Sequence, residues 1–290
     1  MSGPERELDA DALALFERKG QEADPGGPQL GPANAVKVRR VMQLTADLAG
    51  RPFEELRILD LGCGDGVYAI EAGLRGAEVL ALDARGQHMD LGAAVAGRHG
   101  LENVEFRRED VREVTRATHG SFDVVLCLGI LYHLDAPDVF ALLENMHEIC
   151  ERLVVVDTFI SLEHPWPTPR EPGRVWGRGA DLEVTHRDRV YTGERVREHE
   201  DEDSEHVRQD RVLRSIDNTF SFRFTRASLV RALHDVGFSS VSECHSPPEP
   251  GKPENRITLV ALRGEAESIA SYPWINEESE EGIERRLAGP

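Results

Sequence analysis

Arg57-Ile-Leu-Asp-Leu-Gly-Cys-Gly-Asp-Gly66 decides the fold, because an apolar strand runs directly into a turn with glycine at positions 62, 64 and 66. Glycine lacks Cβ, so such a turn takes dihedrals closed to other residues and lets a ligand lie against the backbone. Val67 to Leu74 follows as a helix, whose first N–H groups face an anionic ligand group. Further out, a second apolar run, Glu78-Val-Leu-Ala-Leu-Asp83, ends in a carboxylate. An acid at the end of the second strand of such a unit is placed to accept both hydroxyls of a ribose. Strand, glycine turn, helix and terminal acid together predict a site for a nucleoside cofactor.

The spacing separates this site from a dinucleotide site, which uses Gly-x-Gly-x-x-Gly. Here the pattern is Asp60-x-Gly62-x-Gly64-x-Gly66, with an acid before the first glycine. Downstream, a short strand Val104-Glu-Phe106 leads into Arg107-Arg-Glu-Asp110-Val111, and a fourth run is Phe122-Asp-Val-Val-Leu-Cys-Leu128. These landmarks, in this order, resemble the class I S-adenosylmethionine-dependent methyltransferases. The resemblance implies S-adenosylmethionine as cofactor. It places Asp60, Gly62, Cys63 and Gly64 at the turn, Asp83 and Ala84 at the ribose, Asp110 and Val111 beside the adenine, and Leu128 under the methionine part. Each position also has a plainer role. Gly66 can serve helix–strand packing alone, while Gly62 and Gly64 approach the ligand. Asp60 orients the turn or meets the cofactor's amino group. Asp83 can be an ordinary strand-end acid, and Asp110 can cap the turn that follows it.

Bulk properties fit an enzyme with one good-sized core. The chain has 290 residues, 40% of them hydrophobic. The N-terminus carries Glu5, Arg6, Glu7 and Asp9 rather than a basic and then apolar run, so no secretory leader is expected and the expected location is cytoplasmic. No apolar run has the length of a membrane span. Cys63, Cys127, Cys150 and Cys244 are scattered, with no Cys-x-x-Cys pair, and are expected to be reduced. Acids outnumber bases 53 to 34, for a formal charge of −19. That balance argues for solubility and against a nucleic-acid partner, which calls for a basic patch.

Strand and helix patterns alternate along the chain, so the expected fold is α/β: a Rossmann-like, doubly wound, mostly parallel sheet. Residues 1–34 read as an amphipathic helix, Leu8 to Arg18, and a Gly/Pro-rich linker. Residues 35–159 read as the cofactor-binding core, opening with a helix capped by Asn34 and running to Leu48. A helix from about Ala136 to Met146 precedes the buried-looking strand Arg152 to Asp157. Residues 160–220 break the rhythm with a proline-rich start and a charged, helix-like run from Glu194 to Arg214. The resemblance assigns such an insertion to a substrate lid. Residues 221–264 resume the core, with Thr225 as an N-cap, Gly237 as a helix stop, and Phe238–Cys244 and Arg256–Leu262 as a final antiparallel hairpin. Residues 265–290 form a polar tail.

A second motif, Gly129-Ile-Leu-Tyr-His-Leu-Asp-Ala-Pro137, follows the fourth strand, at the carboxyl edge where open α/β sheets bind ligands. Tyr132 and His133 are therefore the candidate catalytic residues, with His133 able to take a proton from an attacking hydroxyl or amine. The plainer alternative is that His133 packs, caps the next helix or shapes the pocket. In the insertion, Trp166, Trp176, Tyr191 and Phe222 form either an aromatic wall for substrate or a small core of their own. Arg223 shares a strand face with Ser221 and either binds a substrate carboxylate or is solvated. His186, His199 and His206 match no compact ligand spacing, so no metal is expected. The expected function is methyl transfer to an O, N or C nucleophile of a small molecule, with the oligomeric state left open. Two alternatives remain at this point. The Leu-Tyr-His run also resembles the tRNA uridine carboxymethyltransferase group. A methyltransferase-like scaffold can also catalyse cyclisation or elimination instead.

Overall fold

The computed structural model describes residues 32–162, 182–211, 214–244, 252 and 255–265. The expected helix Leu8–Arg18, the tail beyond residue 265, and Trp166 and Trp176 lie outside these residues. Helix α1 (Pro32–Ala49) leads into β1 (Arg57–Leu61), and begins two residues before the expected cap at Asn34. Then follow α2 (Val67–Leu74), β2 (Glu78–Asp83), α3 (Gly86–Arg98), β3 (Val104–Arg108), a single turn α4 (Arg116–His119), β4 (Phe122–Leu128), α5 (Asp138–Ile149) and β5 (Cys150–Phe159). After the insertion come α7 (Arg226–Val236), β9 (Ser240–Glu243) and β10 (Arg256–Leu262). Thr225 caps α7 through its hydroxyl, which accepts the Ser228 N–H, and Gly237 ends that helix at φ 121°.

These strands form one sheet in the order β3-β2-β1-β4-β5-β10-β9. The first five run parallel, and β10 is antiparallel to both its neighbours. The apolar character of β1, β4 and β5 follows from burial on both faces. Leu59, Leu61, Val125, Cys127, Val154 and Val156 enter one core. Ile58, Val124, Leu126, Leu153 and Val155 enter the other, shared with Val41 and Met42 of α1 and Ala69 and Ala72 of α2. Because the two cores sit on opposite sides, a one-residue slip in any central strand would exchange them.

The insertion differs from its sequence expectation. Residues 194–197 are not helical: they end β7 (Arg189–Arg197), which pairs with β6 (Leu182–His186) on one side and β8 (Phe220–Phe224) on the other. Among the described residues of that charged run, only α6 (Glu205–Asp210) is helical. Strand β8, read from sequence as the start of the resumed core, is the third strand of this small antiparallel sheet. Val190, Thr192 and Val196 are β-branched, and pairing on both edges of β7 outweighs the helix propensity of its charged residues. The sheet docks on α5: the Phe140 ring lies 5.0 Å from Tyr191, 6.3 Å from Phe222 and 5.2 Å from Phe224, centroid to centroid. The insertion thus shares the main hydrophobic core rather than building a separate one.

Candidate active site

The glycine turn joins β1 to α2 with Gly62, Gly64 and Gly66 at φ 63°, 56° and 80°. Their surroundings give them different roles. A Cβ on Gly62 would fall 2.8 Å from Ile130 Cβ, and one on Gly66 would fall 2.3 Å from Phe106 Cε1. Both glycines therefore make room for neighbouring side chains, so the expected ligand approach at Gly62 is backbone-only, beside Ile130. At Gly64 no described atom lies within 4 Å of that position: this is the open part of the cradle. Asp83, at the end of β2, is tied to the same spot. Its Oδ2 accepts the Gly64 N–H at 3.0 Å and its Oδ1 accepts the Arg85 N–H at 2.8 Å.

Asp60 lies beneath this turn at 1% exposure. Burial pushes its carboxyl up to about 7, the nearby Asp83 charge adds to the rise, and the Ala69 N–H at the start of α2 opposes it. Its Oδ2 has no partner among the described atoms. The folded protein therefore holds a proton that the unfolded chain releases near 3.8. Between those values the folded state binds more protons, so this group's contribution to stability falls as pH rises. The expected result is that wild type loses ground to Asp60→Asn by up to about 1.4 kcal/mol per pH unit across that window. Urea unfolding at about pH 5 and about pH 7 reads it, and a pH-independent difference would mean that Asp60 ionises as it does in water.

The remaining cofactor candidates surround the ends of β1 to β4. Cys63 is buried, and burial together with the Asp60, Asp83 and Asp65 charges pushes its thiol well up, so it is a packing residue and not a nucleophile. Leu128 closes β4. Ala84, Arg108 and Asp110 of the core line a cavity of 540 Å³ together with Arg208 and Asp217 of the insertion. Asp110 takes the capping role: it accepts the Arg112 N–H at the turn Val111–Glu113 and pairs with the Arg112 guanidinium at 2.5 Å. Val111 is buried behind it. Burial works against ionisation of Asp110, but the Arg112 hydrogen bonds prevail and hold it low.

Arg85 follows immediately and was not singled out from sequence. Its guanidinium is buried and donates to the carbonyls of Gln209 (3.2 Å), Arg211 (3.1 Å), Arg214 (2.6 Å) and Ser215 (3.4 Å). One short segment thus holds Asp83 and pins the insertion over it.

At the end of β4, Tyr132 and His133 lie on a single turn, Leu131–His133, with ring centroids 4.2 Å apart. Tyr132 packs edge-on against Phe159 at 4.9 Å. Two arginines flank this pair: Arg223 at 5.7 and 5.3 Å and Arg256 at 5.7 and 4.9 Å from the Tyr132 and Phe159 centroids. These are cation–π distances. Arg223 therefore lies against the Tyr132–His133 turn. Tyr191 and Phe222 do not: both are packed in the core at 3% and 1% exposure, so the core alternative describes them. Asp157, near the end of β5, is fully enclosed and binds Lys37 Nζ at 2.7 Å, Arg256 Nε at 2.6 Å and the Thr258 hydroxyl at 2.7 Å. Burial opposes its ionisation, but the charges of Arg256, Lys37 and Lys252 overrule it and hold the carboxyl far below the usual range.

Glu198 was also missed from sequence. It sits just past β7 at 3% exposure, with its Oε2 3.3 Å from His133 Nδ1. Its signal, the acid run Glu198-His-Glu-Asp-Glu-Asp203, reads as a solvated charge cluster. Among the described residues, no group of three or more His, Cys, Asp or Glu side chains could hold a metal ion, and no helix is long and apolar enough to cross a membrane.

The family described as "Methyltransferase domain" matches residues 58–152, the span from β1 to the start of β5. Among curated proteins, a ubiquinone biosynthesis O-methyltransferase of Xanthomonas oryzae pv. oryzae is 33% identical over 141 residues, 47% of this chain and 54% of that protein. One of Acinetobacter baumannii is 30% identical over 104 residues, 36% and 42% of the two chains. The chain spans about half the length of the curated relatives it matches, or less. Of solved structures, the N-terminal domain of EvdMO1 in the presence of S-adenosylhomocysteine (SAH) and D-fucose superimposes with a TM-score of 0.59 at 23% identity, covering 91% of this chain and all of that one. Magnesium protoporphyrin IX methyltransferase from Synechocystis PCC 6803 with bound S-adenosylmethionine gives 0.52 at 18% identity, covering 89% and 98%. These likenesses share the fold seen here. Residues 58–152 thus match a methyltransferase domain, set in a fold that structures holding S-adenosylmethionine or SAH share.

Proposed function

We propose that this chain methylates a small molecule, with the acceptor held between the Tyr132–His133 turn and the insertion. The observation that carries this reading is the open backbone at Gly64, hydrogen-bonded to Asp83, one strand away from Tyr132 and His133. The orphaned Asp60 Oδ2 and the cavity beside Ala84 and Asp110 fit a ligand that carries an amino group and a purine. Asp83 would hold the ribose hydroxyls, the Gly62–Gly64 backbone would face the methionine part above Leu128, and Asp110 and Val111 would border the adenine. When bound, S-adenosylmethionine supplies an electrophilic methyl group. The chain's own contribution is to align the acceptor, to keep water out with the 182–224 sheet and its connections, and to take up a proton at His133. A hydroxyl-bearing acceptor is supported by the O-methyltransferase names of the relatives and by the D-fucose in the EvdMO1 structure.

The decisive experiment incubates the full chain with S-adenosylmethionine and separate acceptor sets (monosaccharides including D-fucose, phenols, amines and bulk tRNA) and measures SAH. Product with a small molecule and none with tRNA is the expected outcome. Product with tRNA alone, or tight tRNA binding that survives physiological salt, would overturn the small-molecule reading. A narrower test addresses the ribose. Asp83→Ala should weaken S-adenosylmethionine binding by roughly 1.5–3 kcal/mol, the range for charge-assisted hydrogen bonds. Calorimetry returning the wild-type dissociation constant would remove the ribose from Asp83.

A further inference from the structure

Glu198 is a buried carboxylate supplied by the insertion to a core histidine. Its Oε1 accepts the Ser221 hydroxyl at 2.7 Å and its Oε2 accepts the Ser215 N–H at 3.2 Å. The remaining neighbour of Oε2 is His133 Nδ1, at 3.3 Å. That contact is long and not aligned as a formed hydrogen bond, and Nδ1 is buried with no other partner among the described atoms. Contacts between catalytic groups are commonly loose before a ligand tightens them, and a buried ring nitrogen without a partner costs free energy until it finds one. His133 is otherwise held by its backbone, since its carbonyl accepts the Asn218 side-chain amide at 3.0 Å. Two parts of the insertion therefore grip the histidine, one at the main chain and one at the ring. Burial acts against ionisation of Glu198, but His133, Ser221 and the Ser215 N–H hold its carboxyl down at about 2. It is an acceptor throughout the neutral range.

We infer that Glu198 is a positioning residue for His133: it takes the Nδ1–H, fixes that tautomer and leaves Nε2 bare to accept a proton from the methyl acceptor, which points to a hydroxyl as the accepting group. The inference deepens the proposed function and rests on it for the identity of the reaction. A neutral amine attacks through its lone pair before it loses a proton, whereas a hydroxyl becomes a competent nucleophile as its proton departs. The step balances. The acceptor oxygen bonds to the methyl carbon, the carbon–sulfur bond breaks with its electron pair remaining on sulfur, and the hydroxyl proton passes to His133 Nε2. The ring retains 12% side-chain exposure, so its free nitrogen is not sealed off. Because Glu198, Ser215, Ser221 and Asn218 all come from the insertion, the base is assembled only when the insertion is docked.

The test is nitrogen NMR of the full chain labelled with 15N-histidine and saturated with SAH, at about pH 9 where an imidazole is ordinarily neutral. His133 is assigned by its loss in His133→Gln. The expected wild-type spectrum shows Nδ1 protonated and Nε2 bare. In Glu198→Gln, whose amide can donate as well as accept, that preference should collapse into a mixture of tautomers. A proton on Nε2 in wild type overturns the inference, as does the same tautomer ratio in wild type and Glu198→Gln. If Glu198→Gln does not fold, Glu198→Asp withdraws the carboxylate by one methylene and should give the mixture; an unchanged ratio there counts against the inference equally. Failure of the proposed function looks different: no acceptor yields SAH, while the tautomer is still read.

Discussion

Gly64→Val is expected to weaken S-adenosylmethionine and SAH binding by about 100-fold or more, equivalent to about 2.7 kcal/mol, in a protein that still folds. The residue has φ 56°, and nothing lies within 4 Å of where its Cβ would be. A valine Cβ there meets no described atom but occupies the space that the proposed cofactor must fill. The left-handed backbone costs roughly 1–2 kcal/mol for any L-residue, so Gly64→Ala serves as the control: it carries much of the backbone cost with a single added carbon. Calorimetry and thermal unfolding separate the two effects. The neighbouring glycines should behave in the opposite way, since a side chain at Gly66 drives into the Phe106 ring at 2.3 Å and should cost stability. Normal binding by Gly64→Val would show that no ligand passes close to that backbone.

His133→Ala should lower turnover by roughly 10²–10⁴ at saturating acceptor, the usual worth of a positioned general base, while SAH affinity changes little. If the histidine only shapes the pocket, acceptor KM suffers more than kcat. Near-normal turnover in the variant would remove His133 from the chemistry. A loss of cofactor binding would instead move His133 into the cofactor site.

Much of the architecture was legible because its signals are local. Ile58 to Gly66 and Glu78 to Asp83 each carry their meaning within one strand and its turn, and their pairing in the sheet follows from the parallel topology. Thr225 and Gly237 announce the start and end of α7 in the same way. The insertion was less legible. The charged residues of β7 read as helix, since the pairing partners that make it a strand, β6 and β8, lie elsewhere in the chain. Glu198 was hidden for the opposite reason. A carboxylate inside an acid-rich run signals solvent, and only the fold reveals that this one is enclosed by Ser215, Ser221 and His133. Arg85 stood two residues after a recognised acid, but its partners are four main-chain carbonyls, which leave no imprint on residue type. Tyr191 and Phe222 were ambiguous between wall and core, and Phe140 on α5 decides the matter by packing on both.

The enclosed carboxylate of Asp157 draws Lys37 from the first described helix and Arg256 from the last strand onto one point. Translation completes β5 long before Arg256 leaves the ribosome. Throughout that interval β5 is a bare sheet edge, open to pairing with other chains, and its terminal acid lacks the guanidinium that balances its burial. The nascent domain is therefore held short of closure until β10 has been made, and the sheet edge stays aggregation-exposed up to that point. A message truncated before β10 would yield a chain with an intact glycine turn, an exposed sheet edge and an interior carboxylate stripped of its Arg256 partner.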